Sequence, residues 1–398
     1  MRGKFVLPGL VDSHMHLGGS GGGSTDPREF SQTAVENNLK AYLKFGVTTV
    51  YDMAANPTLA ETKARLADGR LVGPRLYGNG FGITAPGAHP VRLLTEIGIL
   101  DTLGPYYFQV NTPPQAAAAV AKIAAAGTDG VKIFHSRAEA GTSRYDCDRE
   151  KLTPEVLKSI VDAAHANGRK VYAHISFPSE AREVVEAGGD VIVHSIGMAQ
   201  TGADDVLEMM AKKGVGYIPT LAIVQANYVL HSEKYFRTPL RERVWGVFLD
   251  SIENKNSVVQ QRDHVPGLRE DERRSLEISM ANLRAAVKAN VKIAMGTDAG
   301  NSGVLHGATV VREMEMMNEA GMTPMQVIVA ATRTAADVIG QGATLGTVEA
   351  GKRADLIVVD GNPLEDIALI NNVERVILNG QMIDPSTLRY QDVAQSSP

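Results

Sequence analysis

The chain has 398 residues, 44% of them hydrophobic and 21% charged, which is apolar mass enough for one large barrel or two domains. A net charge of −5 offers no basic surface to nucleic acid or to an anionic membrane, and Cys147, the single cysteine, excludes an intrachain disulfide framework. No apolar run reaches the ~18 residues of a membrane span and no signal peptide is legible at the start, so a cytoplasmic protein is the default expectation.

In chain order, the first strand-like run is KFVLPGLVDSHMH, ending in His14 and His16. Side chains alternate along a strand, so the two histidines share a face, a geometry suited to gripping one metal ion. Two ordinary polar residues at a strand end would look the same. GGSGGGSTDP (18–27) follows, a flexible loop that either borders a site or is merely a tolerated insertion. Further strand-type runs are TTVYDM, PRLYGNG, GVKIFH, KVYAHIS, VIVHSI, GYIPTLA and VKIAMGTDA, most of them separated by helical patterns. Two of those patterns, PQAAAAVAKIAAAG and TPEVLKSIVDAAHANG, stop at glycine. The charged stretch 225–272 after the seventh strand predicts a mostly helical excursion over the barrel mouth, either a lid or a solvated insertion. Eight strands alternating with helices predict an α/β protein with a (β/α)8 TIM-type barrel over residues 5–340. Past Gly340, LGTVEAGKRADLIVVDGNP and VERVILNGQMI read as short strands joined by turns, so a small β-sandwich-like domain is expected over 341–398 together with 1–7.

The polar residues within the strands sort by face. In GVKIFH, Val131 and Ile133 alternate with Lys132; with the aliphatic pair against helices, Lys132 points into the barrel. The same alternation turns His174 inward, with Val171, Ala173 and Ile175 outward. It turns His194 inward with Val191 and Val193 outward, and Asp298 inward with Ile293, Met295 and Thr297 outward. All lie toward the carboxyl ends of their strands, where barrel enzymes hold their active sites. Singly, each has a plain reading: a structural histidine, a snorkelling lysine, a capping aspartate. Four histidines, a lysine and an aspartate converging from five strands point to a metal site.

With PGLVDSHMH, Lys132 on the fourth strand, His174 on the fifth, His194 on the sixth, MGTDA with Asp298, and the tail LGTVEAGKRADLIVVDGNPL, the chain resembles the amidohydrolase superfamily over nearly its whole length. GPRLYGNG followed by His89 in TAPGAHP makes it most similar to the bacterial prolidase and carboxypeptidase-type branch, which splits Xaa-Pro dipeptides or N-acyl amino acids. The resemblance implies an amide C–N hydrolase with two divalent ions, usually zinc. His14, His16 and Asp298 would hold one ion and His174 and His194 the other, bridged by Lys132 carboxylated with CO2. An ammonium has no lone pair for a metal, whereas a carbamate ligates as a carboxylate does, and burial near cations lowers a lysine pKa toward the reactive amine. Two zinc ions against the carbamate, Asp298 and a bridging hydroxide would leave about one net positive charge to polarise a carbonyl. The metals lower the pKa of water from 15.7 to roughly 7. The hydroxide would attack an amide whose proton Asp298 relays to the leaving nitrogen, with His89 bonding the carbonyl or oxyanion unless it is a plain loop histidine. Tyr228 is a candidate substrate residue, and Arg137, Arg144 and Tyr228 are candidate clamps for a substrate carboxylate. His135, His165, His231, His264 and His306 match no ligand position, and most of them read as structural or surface residues.

Relatives usually open with several β-domain strands before the barrel, so the resemblance implies an amino-terminally truncated small domain, or one built from the carboxyl-terminal strands alone. A truncated start could also have lost a signal peptide, which would make the protein periplasmic or secreted. The expected partner is a small-molecule substrate; a homo-oligomer is compatible with the sequence, and no nucleic acid or membrane span is expected. One alternative is a mononuclear deaminase or cyclic-amide hydrolase of the imidazolonepropionase type; those lack the bridging lysine. Another is a metal-free scaffold acting through protein contacts, against which all six ligand positions are filled.

Overall fold

A computed structural model describes residues 3–17, 31–54, 56, 58–96, 98, 100–137, 150–197, 199–200, 202–229, 240–246, 248–249, 268–301 and 303–391. The strands are β1 (Lys4–Pro8), β2 (Leu10–Met15), β3 (Val47–Asp52), β4 (Arg75–Gly78), β5 (Gly82–Thr84), β6 (Tyr107–Gln109) and β7 (Gly130–Phe134), then β8 (Lys170–His174), β9 (Val191–Val193), β10 (Gly216–Ile218), β11 (Lys292–Ile293), β12 (Leu356–Asp360), β13 (Val373–Leu378) and β14 (Gln381–Ile383). Seven of them form a parallel sheet in the order β11-β10-β9-β8-β7-β5-β6, and β2-β3-β4 form a second parallel sheet. A parallel sheet needs cover on both faces, which is why its strands are near-continuous apolar runs.

Helices supply the outer cover. Pro154–Ala166 is representative: the Thr153 side chain caps the Val156 amide and a proline opens the first turn. Val156, Leu157, Ile160, Val161 and Ala164 recur at helical spacing and are buried. They join a large core with Val131, Ile133, Val171 and Ala173 from β7 and β8. A second cluster fills the space inside the sheets: Val11, Tyr51, Met53, Tyr172, Val191, Val193, Ile218 and Ala294, closed at one end by Ala335, Val338 and Ile339. The Tyr172 hydroxyl donates to Val338 O at 3.1 Å across that floor.

The eight strands expected to close one barrel do not form one continuous ladder. The third is broken at Gly80, whose φ of +66° suits glycine, so that β4 pairs with β3 while β5 pairs with β7. The eighth, β11, is two residues long, because the chain leaves the strand before Asp298, a non-glycine residue at φ +63°. Single backbone bonds cross the gaps: Asp129 N donates to Gly78 O at 2.9 Å, Ser13 N to Met295 O at 3.1 Å and Thr297 N to His14 O at 3.1 Å.

The opening run splits in two. β1 pairs antiparallel with β12, and with β13 and β14 makes a four-stranded sheet, while β2 enters the parallel sheet. Gly9 is the pivot, since a Cβ there would lie 2.1 Å from Thr48 Oγ1. Among the described residues this region holds one sheet rather than the expected sandwich of two. Loop 18–27 and most of the stretch 225–272 lie outside the described residues.

Candidate active site

The inward alternation expected for Lys132 and His174 agrees with their neighbours. Val131, Ile133, Val171 and Ala173 join the outer core, and Tyr172 the inner one. For His194 the expectation was wrong in its route. Val191 and Val193 face inward with Tyr51 and Tyr172 rather than outward. Alternation would then turn residue 194 away, but His194 lies past the strand end with φ +73°, and this left-handed step brings its ring back to the mouth. Asp298 is presented by a similar step at φ +63°. On β2, Val11 is in the inner cluster and Met15 in the outer; a register irregularity between Asp12 and Met15 resets the alternation and lets His14 and His16 face in as well.

The rings form a chain across the mouth. Centroids are 5.4 Å apart for His16 and His14, 4.7 Å for His14 and His194, 4.3 Å for His194 and His174, and 4.6 Å for His174 and His89. Asp298 Oδ1 lies 3.1 Å from Nε2 of both His14 and His16, and Oδ2 lies 3.8 Å from His194 Nδ1. One ligand atom from each of His14, His16 and Asp298 falls within 4.8 Å of the others. Lys132, 1% exposed, lies beneath, its Nζ 5.2 Å from the Phe134 ring centroid.

Burial governs the charges here. It pushes Lys132 down to about 7, against the pull of Asp298. It pushes His14 down to about 3, with help from Lys132, and holds His174 and His194 well below the usual histidine range. Burial alone would raise Asp298; the imidazoles of His14 and His16 outweigh it and keep that carboxyl well below its usual range. The result is neutral imidazoles at His14, His174 and His194, an imidazole at His16 that Asp298 draws upward against burial, a carboxylate and an amine near its deprotonation point. His14 Nδ1 and Lys132 Nζ are buried without a hydrogen bond, and His14 Nε2 and Asp298 Oδ1 have only their 3.1 Å contact with each other and that of Oδ1 with His16. An unpaired buried polar group costs about 1–3 kcal/mol, so such a cluster is the signature of a site that receives something. Imidazole nitrogens with a carboxylate suit a divalent transition ion.

His89 is 6% exposed and lies against the rings of His174 and Phe134. The side chain of Tyr228 lies outside the described residues, as do Arg144, His231 and His264. Arg137 gives its amide to Glu180 Oε1 at 2.8 Å and sets its guanidinium 5.7 Å from the Phe177 ring centroid. His135 bonds Glu183 at 2.7 Å and His165 bonds Asp190 at 2.8 Å. His306 Nε2 lies 2.8 Å from His16 O, so a residue without a ligand position holds the backbone of a site histidine.

The sequence reading missed Asp12. Its Oδ2 accepts from Thr297 Oγ1 at 2.6 Å and from the Tyr42 hydroxyl at 3.1 Å. Its Oδ1 accepts from Thr297 N at 3.0 Å and His14 N at 3.2 Å. It therefore ties the strand bearing His14 to the turn bearing Asp298. The signal was present: an acid inside the apolar run LVDSHM must be paired if buried.

Known proteins resemble the chain at low identity. Over 397 aligned positions the chain is 26% identical to ochratoxinase of Aspergillus niger, covering 94% of this chain and 74% of that protein. It is 24% identical over 417 positions to imidazolonepropionase of Geobacillus sp. (strain WCH70), covering 96% and 81%. The crystal structure of a Xaa-Pro dipeptidase with bound methionine in the active site matches with a TM-score of 0.75 at 26% identity, over 96% of this chain and 88% of that one. The sequence pattern of the amidohydrolase family matches residues 5–383, and the chain, a hydrolase, belongs to that family.

Proposed function

We propose that this enzyme hydrolyses the amide bond of a Xaa-Pro dipeptide or an N-acyl amino acid at a site for two divalent metal ions of the zinc type. The chain is read as a (β/α)8 barrel over 5–340, with 341–398 and 1–7 as a small β-domain. The observation that carries the functional reading is Lys132: a wholly buried amine, without a hydrogen-bond partner, at the foot of a ring of histidines. Its neutral Nζ can add to CO2, forming an N–C bond and releasing a proton, to give a carbamate whose oxygens ligate metal where an ammonium would repel it. In this reading His14, His16 and Asp298 would hold one ion, His174 and His194 the other, and the carbamate of Lys132 would ligate both. When bound, such ions supply Lewis acidity to a carbonyl and lower the pKa of water from 15.7 to roughly 7.

The protein's own groups do the rest. Asp298 accepts the proton of the attacking water at Oδ2, the oxygen opposite the one His14 and His16 share, and delivers it to the leaving nitrogen. His89, braced by His174 and Phe134, donates to the substrate carbonyl as charge develops there, and Tyr228 contacts the substrate. The dipeptidase and ochratoxinase matches support an amide or dipeptide substrate, and the imidazolonepropionase match keeps a cyclic amide as second reading.

The test is a hydrolysis screen of zinc-loaded protein, grown with bicarbonate, on Xaa-Pro dipeptides, N-acyl amino acids and cyclic amides, with Asp298→Asn beside it. Cleavage of either of the first two classes, abolished in D298N, is expected. Turnover confined to cyclic amides, with about one metal per chain unchanged by Lys132→Ala, would transfer the enzyme to the second reading.

A further inference from the structure

Helix Ala308–Glu319 packs in the outer layer after β11 and carries Glu313 with no exposed surface. A buried carboxylate needs partners, and these are backbone amides. Oε1 accepts from Leu221 N at 2.9 Å and Oε2 from Ala222 N at 2.6 Å. Both donors belong to the first turn of helix Leu221–Val229, where amides have no intrahelical acceptor and the helix dipole favours an anion. The adjacent Arg312 bonds Gln225 on that same helix at 2.8 Å, and Glu315 and Glu319 at 2.8 Å each, so the two helices are tied at two points. Burial raises the Glu313 carboxyl, and the amides of Leu221 and Ala222 act against it. An apolar side chain could fill this space without that desolvation.

The residue before those amides is Thr220, buried, with φ +46°. A β-branched residue persists there only where its surroundings fix it. The preceding residues are held too: His194 N donates to Ile218 O at 2.9 Å, and Ser195 Oγ to Pro219 O at 2.6 Å. So placed, Thr220 Oγ1 lies 3.0 Å from His194 Nδ1. The bond made by one imidazole nitrogen decides which nitrogen keeps a lone pair.

We propose that Glu313 is a positioning residue for His194: by binding the amides of Leu221 and Ala222 it locks Thr220 in its left-handed backbone, and Thr220 then holds His194 as the Nδ1–H tautomer, with the Nε2 lone pair free to ligate. The ligating part of this inference rests on the metal reading above; the tautomer does not.

The experiment compares wild type with Glu313→Gln in two ways. Zinc-loaded protein is titrated with a chelator and the retained metal counted, and histidine ring 15N spectra are recorded on metal-free protein. Glutamine keeps the volume but turns an NH2 toward one of the two amides. E313Q is expected to release one of its two zinc ions about 10–100-fold more readily while holding the other. Its His194 signals should shift from the Nδ1–H tautomer toward a mixture. Thr220→Val should do the same, Thr220→Ser should restore wild-type behaviour, and E313Q should add nothing to T220V. A wild-type chelator curve and unchanged tautomer in E313Q overturn the proposal even if Tm falls, since that leaves a plain helix cap. If E313Q does not fold, T220V decides by the same two readouts. A failure of the metal reading shows already in the wild type, as protein that retains no zinc, and the tautomer comparison then decides the role of Glu313 by itself.

Discussion

Lys132 has a property that separates stability from function at a single residue. In metal-free protein its Nζ is buried with no hydrogen bond, a burden of about 1–3 kcal/mol. Lys132→Met keeps the volume and removes the polar atom. Urea unfolding of chelator-treated protein should therefore show K132M more stable than wild type by about that amount, while the metal content of zinc-loaded K132M falls below two per chain. A less stable K132M would mean that the amine has a partner. The residues around it differ in how far the sequence discloses them. Lys132 and His174 follow strict alternation within β7 and β8, so their inward direction could be read from the neighbouring aliphatics. His194 and Asp298 could be picked out by type, but not by geometry, because each hangs on one left-handed residue past a strand end. Thr220 and Glu313 were illegible for another reason: their roles run through backbone amides 91 and 92 positions away in the chain, which no local pattern encodes.

The elements were legible as a list and less so as a sheet. Each strand-like run does contain a strand, because parallel strands buried on both faces must be apolar. The breaks at Gly80 and beside β11, and the split of the first run at Gly9, depend on close approaches that composition does not report. Gly9→Ala tests the pivot. A methyl group 2.1 Å from Thr48 Oγ1 forces the junction of β1 and β2 away from β3, at a cost of about 1–3 kcal/mol in urea unfolding. The metal content should stay at the wild-type value, since the site lies at the opposite end of β2. Glu183 ties the end of β7 to helix Pro178–Ala187, and its bond to His135 holds it down to about 2, from an ordinary 4.5, with Lys151 assisting against burial. A depressed carboxyl contributes stability that is whole above about pH 4.5 and lost as pH falls toward 2. Glu183→Gln should flatten the acid limb of the unfolding midpoint over that window in metal-free protein. An unchanged limb would show that the contact carries no linkage.

At the scale of the whole molecule, the site sits on a seam between the two parallel sheets. Between β11 and β2 there is no continuous ladder but a set of separate bonds: Ser13 N to Met295 O at 3.1 Å, Thr297 N and Asp298 N to His14 O at 3.1 and 2.7 Å, His16 N to Ala299 O at 2.7 Å, and the Asp12 bonds to Thr297 at 2.6 and 3.0 Å. His14 and His16 stand on one side of that seam and Asp298 on the other, so an ion held by these three would staple it. Binding only to the folded state stabilises it by RT ln(1 + [L]/Kd), about 4.1 kcal/mol at a thousandfold excess over Kd. The gain in protection should not be uniform. β7 and β8 already share a five-residue register, and local opening there does not require the seam to part. Hydrogen exchange with and without zinc should therefore slow the amides of His16, Thr297 and Asp298 far more than those of β8. Equal slowing across both regions would reduce the metal to global ligand stabilisation, and no slowing at the seam would remove His14, His16 and Asp298 as a shared ligand set. The expected pattern would make the metal a structural closure of the sheet as well as the seat of its chemistry.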